Sequence, residues 1–282
     1  MPARQKHYVL LIAGLSLGLL LAGCSTGPTP PQPGTPAFYW AAARETYRTG
    51  DYLKTNDNLG QITKSDNEFT ARARIWQMVI VSGIAQADMD LADVYDLGAR
   101  ANRANPTPFR RQASMLRTGA SAAALEFTEV FHRFQGTVKD PAVALEFDYP
   151  SGSASQPPEL KKITTGIVLQ ESEMALVHRA MIQRGVLRSL CRAVGAPDDP
   201  AKALELFKSG KPEVRRDLLR LQMAGLLHEE AQLFGPTKLD QPNRVKMMCG
   251  EALDALHGLP ASKQTKDLGS KIQSTLKKSR VT

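Results

Sequence analysis

Reactive side chains are sparse in this 282-residue sequence, and their spacing excludes most of the chemistry they could perform. Beyond His7 the histidines are His132, His178, His228 and His257, none within one helical turn of another. The segment His228-Glu229-Glu230-Ala231-Gln232 approaches the zinc-protease pattern, in which two histidines one turn apart hold the metal and a glutamate acts as base. Gln232 stands where the second histidine is required, so that chemistry is excluded. Glu171, Glu173 and His178 read as ordinary helix residues. Gly14-Leu15-Ser16-Leu17-Gly18 has the letters of a hydrolase nucleophile elbow but lies in an apolar leader, not on a strand-to-helix turn. Ser209-Gly210-Lys211-Pro212 lacks the upstream glycine of a phosphate loop, and Asp198-Asp199 before Pro200 reads as a helix cap. The expectation is no catalytic residue, no metal site and no cofactor.

The N-terminus carries the most specific pattern. Arg4 and Lys6 precede an apolar run from Tyr8 to Leu21, which is followed by Leu21-Ala22-Gly23-Cys24. A basic start, a run shorter than a membrane span and small residues before a cut describe a secretion signal. The four residues resemble the lipobox of bacterial lipoproteins. That resemblance implies cleavage before Cys24, a diacylglyceryl thioether on its sulfur and a further acyl chain, such as palmitate, on its amine. Two or more chains anchor stably where one does not. Ser25, in place of the aspartate that resembles an inner-membrane retention signal, points to the outer membrane facing the periplasm. Pro28, Pro30, Pro31, Pro33 and Pro36 then predict a semi-rigid polyproline tether.

In an oxidising periplasm the remaining cysteines, Cys191 and Cys249, fit two outcomes. One is a disulfide closing a long loop, worth ~4 kcal/mol on loop-entropy grounds. The other is a pair of buried thiols, since both follow apolar residues.

From Phe38 onward apolar residues recur at three- and four-residue spacing, which predicts an all-α body of stacked antiparallel helical hairpins. Ile75, Val79 and Ser82-Gly83 share one helix face, with Trp76 beside it. A stripe from Phe109 to Phe134 predicts a long helix capped by Thr107 with Pro108 in its first turn. Asp199-Pro200 opens a short helix closed by Gly210, and Pro212 opens another that Gly235-Pro236 stops. Val245, Met248, Ala252 and Leu256 mark the next, closed by Gly258 and Pro260. Val143, Leu145, Phe147 and Tyr149 alternate like a strand. Isolated, this stretch has a partner only in 163–169, where Ile163, Thr165, Ile167 and Leu169 also alternate, but that segment fits better as part of one helix opened by Pro158 and running through Leu160, Ile163, Ile167, Met174, Val177 and Met181. The 143–149 stretch is therefore expected as an extended linker, and 150–158 as a flexible seam.

Tyr39, Ala42-Ala43, Tyr47, Gly50-Asp51-Tyr52, Thr55, Leu59 and Ile62 resemble a tetratricopeptide repeat. A second copy places Trp76 under Tyr39, Ala87-Asp88-Met89 at the turn and Ala92 under Thr55, so the resemblance spans 38–105. Two ordinary helical hairpins fit the same residues, and either arrangement presents a surface to peptides or proteins.

The organisation expected is a signal peptide at 1–23, lipidated cysteine and tether at 24–36, N-terminal hairpins at 37–135, a linker at 136–158 and a C-terminal helical region at 159–282. Composition, 42% apolar and 23% charged, excludes a disordered chain. The net charge of +8 is partly traced to Lys263, Lys266, Lys271, Lys277, Lys278 and Arg280 at the C-terminus. Without interleaved aromatics this predicts no nucleic-acid binding. The expected partners are a membrane, through the acyl chains, and an envelope protein or peptide. The function expected is that of an envelope adaptor; the alternative is a small-ligand-binding accessory lipoprotein of an envelope transport system.

Overall fold

The computed structural model describes residues 31–150, 157–210 and 212–279. Leu21, Ala22, Gly23 and Cys24, with the tether up to residue 30, lie outside the described residues. The chain is all-α: ten α-helices and one two-stranded sheet are found among the described residues. None of these helices is long and apolar enough to cross a membrane.

The first hairpin follows from its caps. Thr35 accepts a hydrogen bond from the Phe38 amide at 3.3 Å, so Pro36, expected in the tether, instead opens α1 (Pro36–Arg48). Gly50 takes φ +72°, and Asp51 accepts the Lys54 amide to open α2 (Tyr52–Ile62).

The second hairpin departs from the repeat pattern. Residues 70–101 form one unbroken helix, α3 (Thr70–Ala101), and Ala87-Asp88-Met89 lies in its interior instead of at a turn. No glycine or proline breaks the helix there, the Asp88 side chain is bonded to His178 and not to a turn, and every position from Ala73 to Asp88 is buried. A helix buried on all sides over so long a stretch belongs at the centre of a fold, and that is the place of α3. It is followed by α4 (Thr107–Thr137), whose stripe Phe109, Ala113, Ala120, Ala124, Phe127, Phe131 and Phe134 is buried as expected. Its cap is not as expected: Thr107 lies within the first turn after Pro106 and makes no cap bond. Asn102 organises the entry, its side chain accepting the Asn105 amide and donating to the Gly166 carbonyl, each at 3.0 Å.

Only the start of the alternating stretch forms a strand, β1 (Ala142–Ala144). Its antiparallel partner is β2 (Glu213–Arg215), with Val143 opposite Val214. Pro212, expected to open a helix, instead precedes β2, and α8 (Arg216–Ala231) starts four residues later. At three residues β2 is too short to show a period, which concealed the pairing. Beyond β1, Leu145 and Phe147 enter the core. Phe147 stacks on Trp76 at 4.6 Å and meets Trp40 and Tyr47 at 4.9 and 5.0 Å. The segment expected as a linker thus holds the first hairpin against α3.

The helix expected from Pro158 is two. Gly166, at φ +85°, ends α5 (Glu159–Thr164), and α6 (Glu171–Ala193) starts afresh with the Gln170 amide donating to Glu173 at 2.9 Å. Leu160 and Ile163 are buried, whereas Ile167 is 53% exposed. Asp199 caps α7 (Pro200–Lys208) through the Lys202 amide, as expected. A 3-10 turn (Gln232–Phe234) ends α8 before Gly235. The chain then forms α9 (Pro242–Leu256) and α10 (Lys263–Lys278). Residues from Pro33 on constitute one compact unit with α6 and α8 packed on α3.

Candidate binding trough

Both α4 and α6 pack along α3, and between them a trough runs with α3 as its floor. The position of α6 is set where it crosses α3. There Gly83 faces Gly185, a Cβ on Gly83 would lie 2.5 Å from the Val186 nitrogen, and the Ser82 and Ser189 hydroxyls bond to each other. Small residues at a crossing let two backbones touch.

The trough comprises two adjoining cavities. One, of about 540 Å³, is lined by Tyr95, Phe109, Gln112, Val168, Leu169 and Met174. The next, of about 380 Å³, is lined by Leu91, Met115, Leu116, Gly119, Met174 and His178. Beyond His178 a third, of about 390 Å³, lies against Gly50, Tyr52, Leu53 and Ile182. Met115 on one wall is 57% exposed and Val168 at one end is 50% exposed. Large apolar side chains left in water along one groove mark a surface that a ligand or partner covers. Methionine suits such a surface because its unbranched thioether adapts to varied shapes.

One polar strut crosses the floor. His178 Nε2 donates to Asp88 Oδ1 at 2.7 Å, tying α6 to α3. Asp88 is buried, and Gly119 leaves room for it, since a Cβ there would lie 2.6 Å from Oδ2. The His178 ring lines both the second and third cavities and is half-exposed. An imidazole oriented by a carboxylate can exchange protons, but neither of its two cavities is lined by serine or cysteine. The arrangement offers a groove with largely apolar walls, whose polar groups include Gln112, Glu171 and the oriented His178 ring.

The other histidines are elsewhere. His132 pairs with Glu251 at 3.0 Å, His228 with Thr275 at 2.9 Å and His257 with Asp254 at 3.8 Å, each with a different partner. Burial lowers the His228 pKa below its ordinary value. Glu173 serves the α6 cap and accepts Lys162, whereas Glu171 lines the trough. No group of three metal-ligating side chains occurs among the described residues.

Cys191 and Cys249 are both free and buried. Cys191 sits with Leu187, Ala196 and Ala203 in a small cluster, whereas Cys249 belongs to the main core. Burial pushes each thiol up to about 11.

Two features were missed by sequence reasoning. Glu230 on α8 is fully buried with neither carboxylate oxygen hydrogen-bonded, and burial holds its pKa well above the ordinary carboxylate range. The helical pattern carried no sign of this, because Glu229-Glu230 resembles any solvated pair. The trough was missed because Met115 and Val168 lie off the buried stripes; the legible sign was an apolar residue on a face expected to be polar. No protein-family model, no curated protein and no solved structure matches the chain.

Proposed function

We propose that this chain is a lipid-anchored envelope adaptor whose trough receives an apolar segment of a partner protein. The carrying observation is the groove between α4 and α6, walled by exposed Met115 and entered past exposed Val168. Its length, through two adjoining cavities over α3 and past His178 to a third beside the α1–α2 turn, suits an extended or helical segment better than a compact molecule. The anchor half of the reading rests on Leu21-Ala22-Gly23-Cys24 and on the prolines after it.

Two variants test the two halves separately. Cys24→Ser is expected to abolish acylation, seen by mass, and to release the chain from the membrane fraction. Met115→Glu places a charge in the groove at an exposed position and is expected to remove partner retention in an envelope co-purification while the far-UV spectrum is unchanged. Retention of the same partner by both wild type and Met115→Glu contradicts the groove.

The small-ligand alternative is favoured by the 540 Å³ cavity alone, where Tyr95, Phe109 and Met174 surround Gln112 and Glu171. Native mass spectrometry distinguishes it: a bound small molecule, lost in Met174→Glu, replaces the protein partner as the reading.

A further inference from the structure

The α3–α4 turn gathers three unpaired arginine side chains around one cavity. Arg100 in the last turn of α3, Arg103 in the connection and Arg110 in the first turn of α4 line one open cavity of about 550 Å³ with Ala99 and Pro106. Asp96 also lines it, but its carboxylate is held by Arg117. None of the three guanidinium groups makes a hydrogen bond or ion pair, although those of Arg48, Arg72, Arg133, Arg188 and Arg192 each meet a carboxylate. The sequence explains the imbalance: between Asp96 and Glu126 there are arginines at 100, 103, 110, 111 and 117 and no acidic residue.

Three guanidinium groups around one cavity repel one another, and the repulsion is relieved by an anion that enters. A guanidinium offers paired N–H donors in a fixed fork, which matches two oxygens of one phosphate. No aromatic side chain lines the cavity, so it offers nothing for a nucleobase to stack on. We propose that this cavity is an oxyanion site for a phosphate group, held bidentately by Arg100 and Arg110 with Arg103 supplying the third charge. The site lies apart from the trough and does not depend on the adaptor reading. A phosphate on a lipid headgroup and a free polyphosphate present the same chemistry.

The test uses the full-length chain in detergent and two soluble probes, inorganic pyrophosphate and dihexanoyl phosphatidic acid below its micelle concentration, titrated calorimetrically at matched ionic strength. Saturable binding of either is expected, and the tighter probe identifies the source. R100A/R110A is expected to weaken it by about tenfold or more, and R100K/R110K, which keeps the charges but not the forks, by about threefold or more. K271A/K277A, which removes charge from α10, is expected to leave it unchanged. No saturable heat with either probe overturns the proposal, as does full affinity in R100K/R110K or an equal loss in K271A/K277A.

Discussion

Gly83 of α3 and Gly185 of α6 meet backbone to backbone, with no space for a methyl group on either. This contact sets how far α6 stands from α3 and hence the shape of the groove that α4 closes on the other side. Alanine at a glycine in a helix interior normally stabilises by about 0.5–1 kcal/mol. At Gly83 or Gly185 overpacking outweighs that gain, so Gly83→Ala and Gly185→Ala are expected to lose about 1–3 kcal/mol. Gly250→Ala on α9, where a Cβ meets nothing within 4 Å, is expected to gain. Urea denaturation of the three variants checks the opposite signs.

Glu230 makes stability depend on pH. Its folded pKa is raised, so the folded state binds a proton that the unfolded chain releases, and stability falls as pH rises above the unfolded value of about 4.3. Glu230→Gln is neutral throughout. The wild-type urea midpoint is expected to fall relative to that of Glu230→Gln between pH 5 and pH 8, and parallel curves would contradict this.

His228 gives the reverse sign. Its folded pKa is lowered, so its contribution is complete above the unfolded value of about 6.5 and is lost as pH falls through the folded value. The ring pairs with Thr275 of α10. Hydrogen exchange in α10, corrected for the intrinsic pH effect, is expected to quicken between pH 7 and pH 5 in wild type and to change less in His228→Gln.

Cys191 and Cys249 are expected to resist alkylation in the folded chain, since burial both hides them and disfavours the thiolate. Denaturation without reductant is expected to expose two alkylatable thiols. Finding none would show that a disulfide forms.

The helical class and several boundaries were legible because local chemistry decides them. Asp199 caps its own helix, and the Gly50-Asp51 turn depends on those two residues alone. The alternation from Val143 on was legible, but its pairing with Val214 was not, because three-residue β2 shows no period by itself. Met115 and Val168 were overlooked for a related reason. A stripe pattern reports which residues a helix buries, whereas a groove consists of what two helices leave uncovered. Arg100, Arg103 and Arg110 were in plain sight as an acid-free stretch, but only the fold places them around one cavity.

Site-specific photo-crosslinking in intact cells tests the trough most directly. A photoreactive side chain is placed at Met115, at Val168 or at Met247, the last a 48% exposed apolar position on α9 outside the trough. The account predicts the same envelope-protein adduct from 115 and 168 and its absence from 247. Adducts of equal yield at all three positions, or none at 115 and 168, would contradict it.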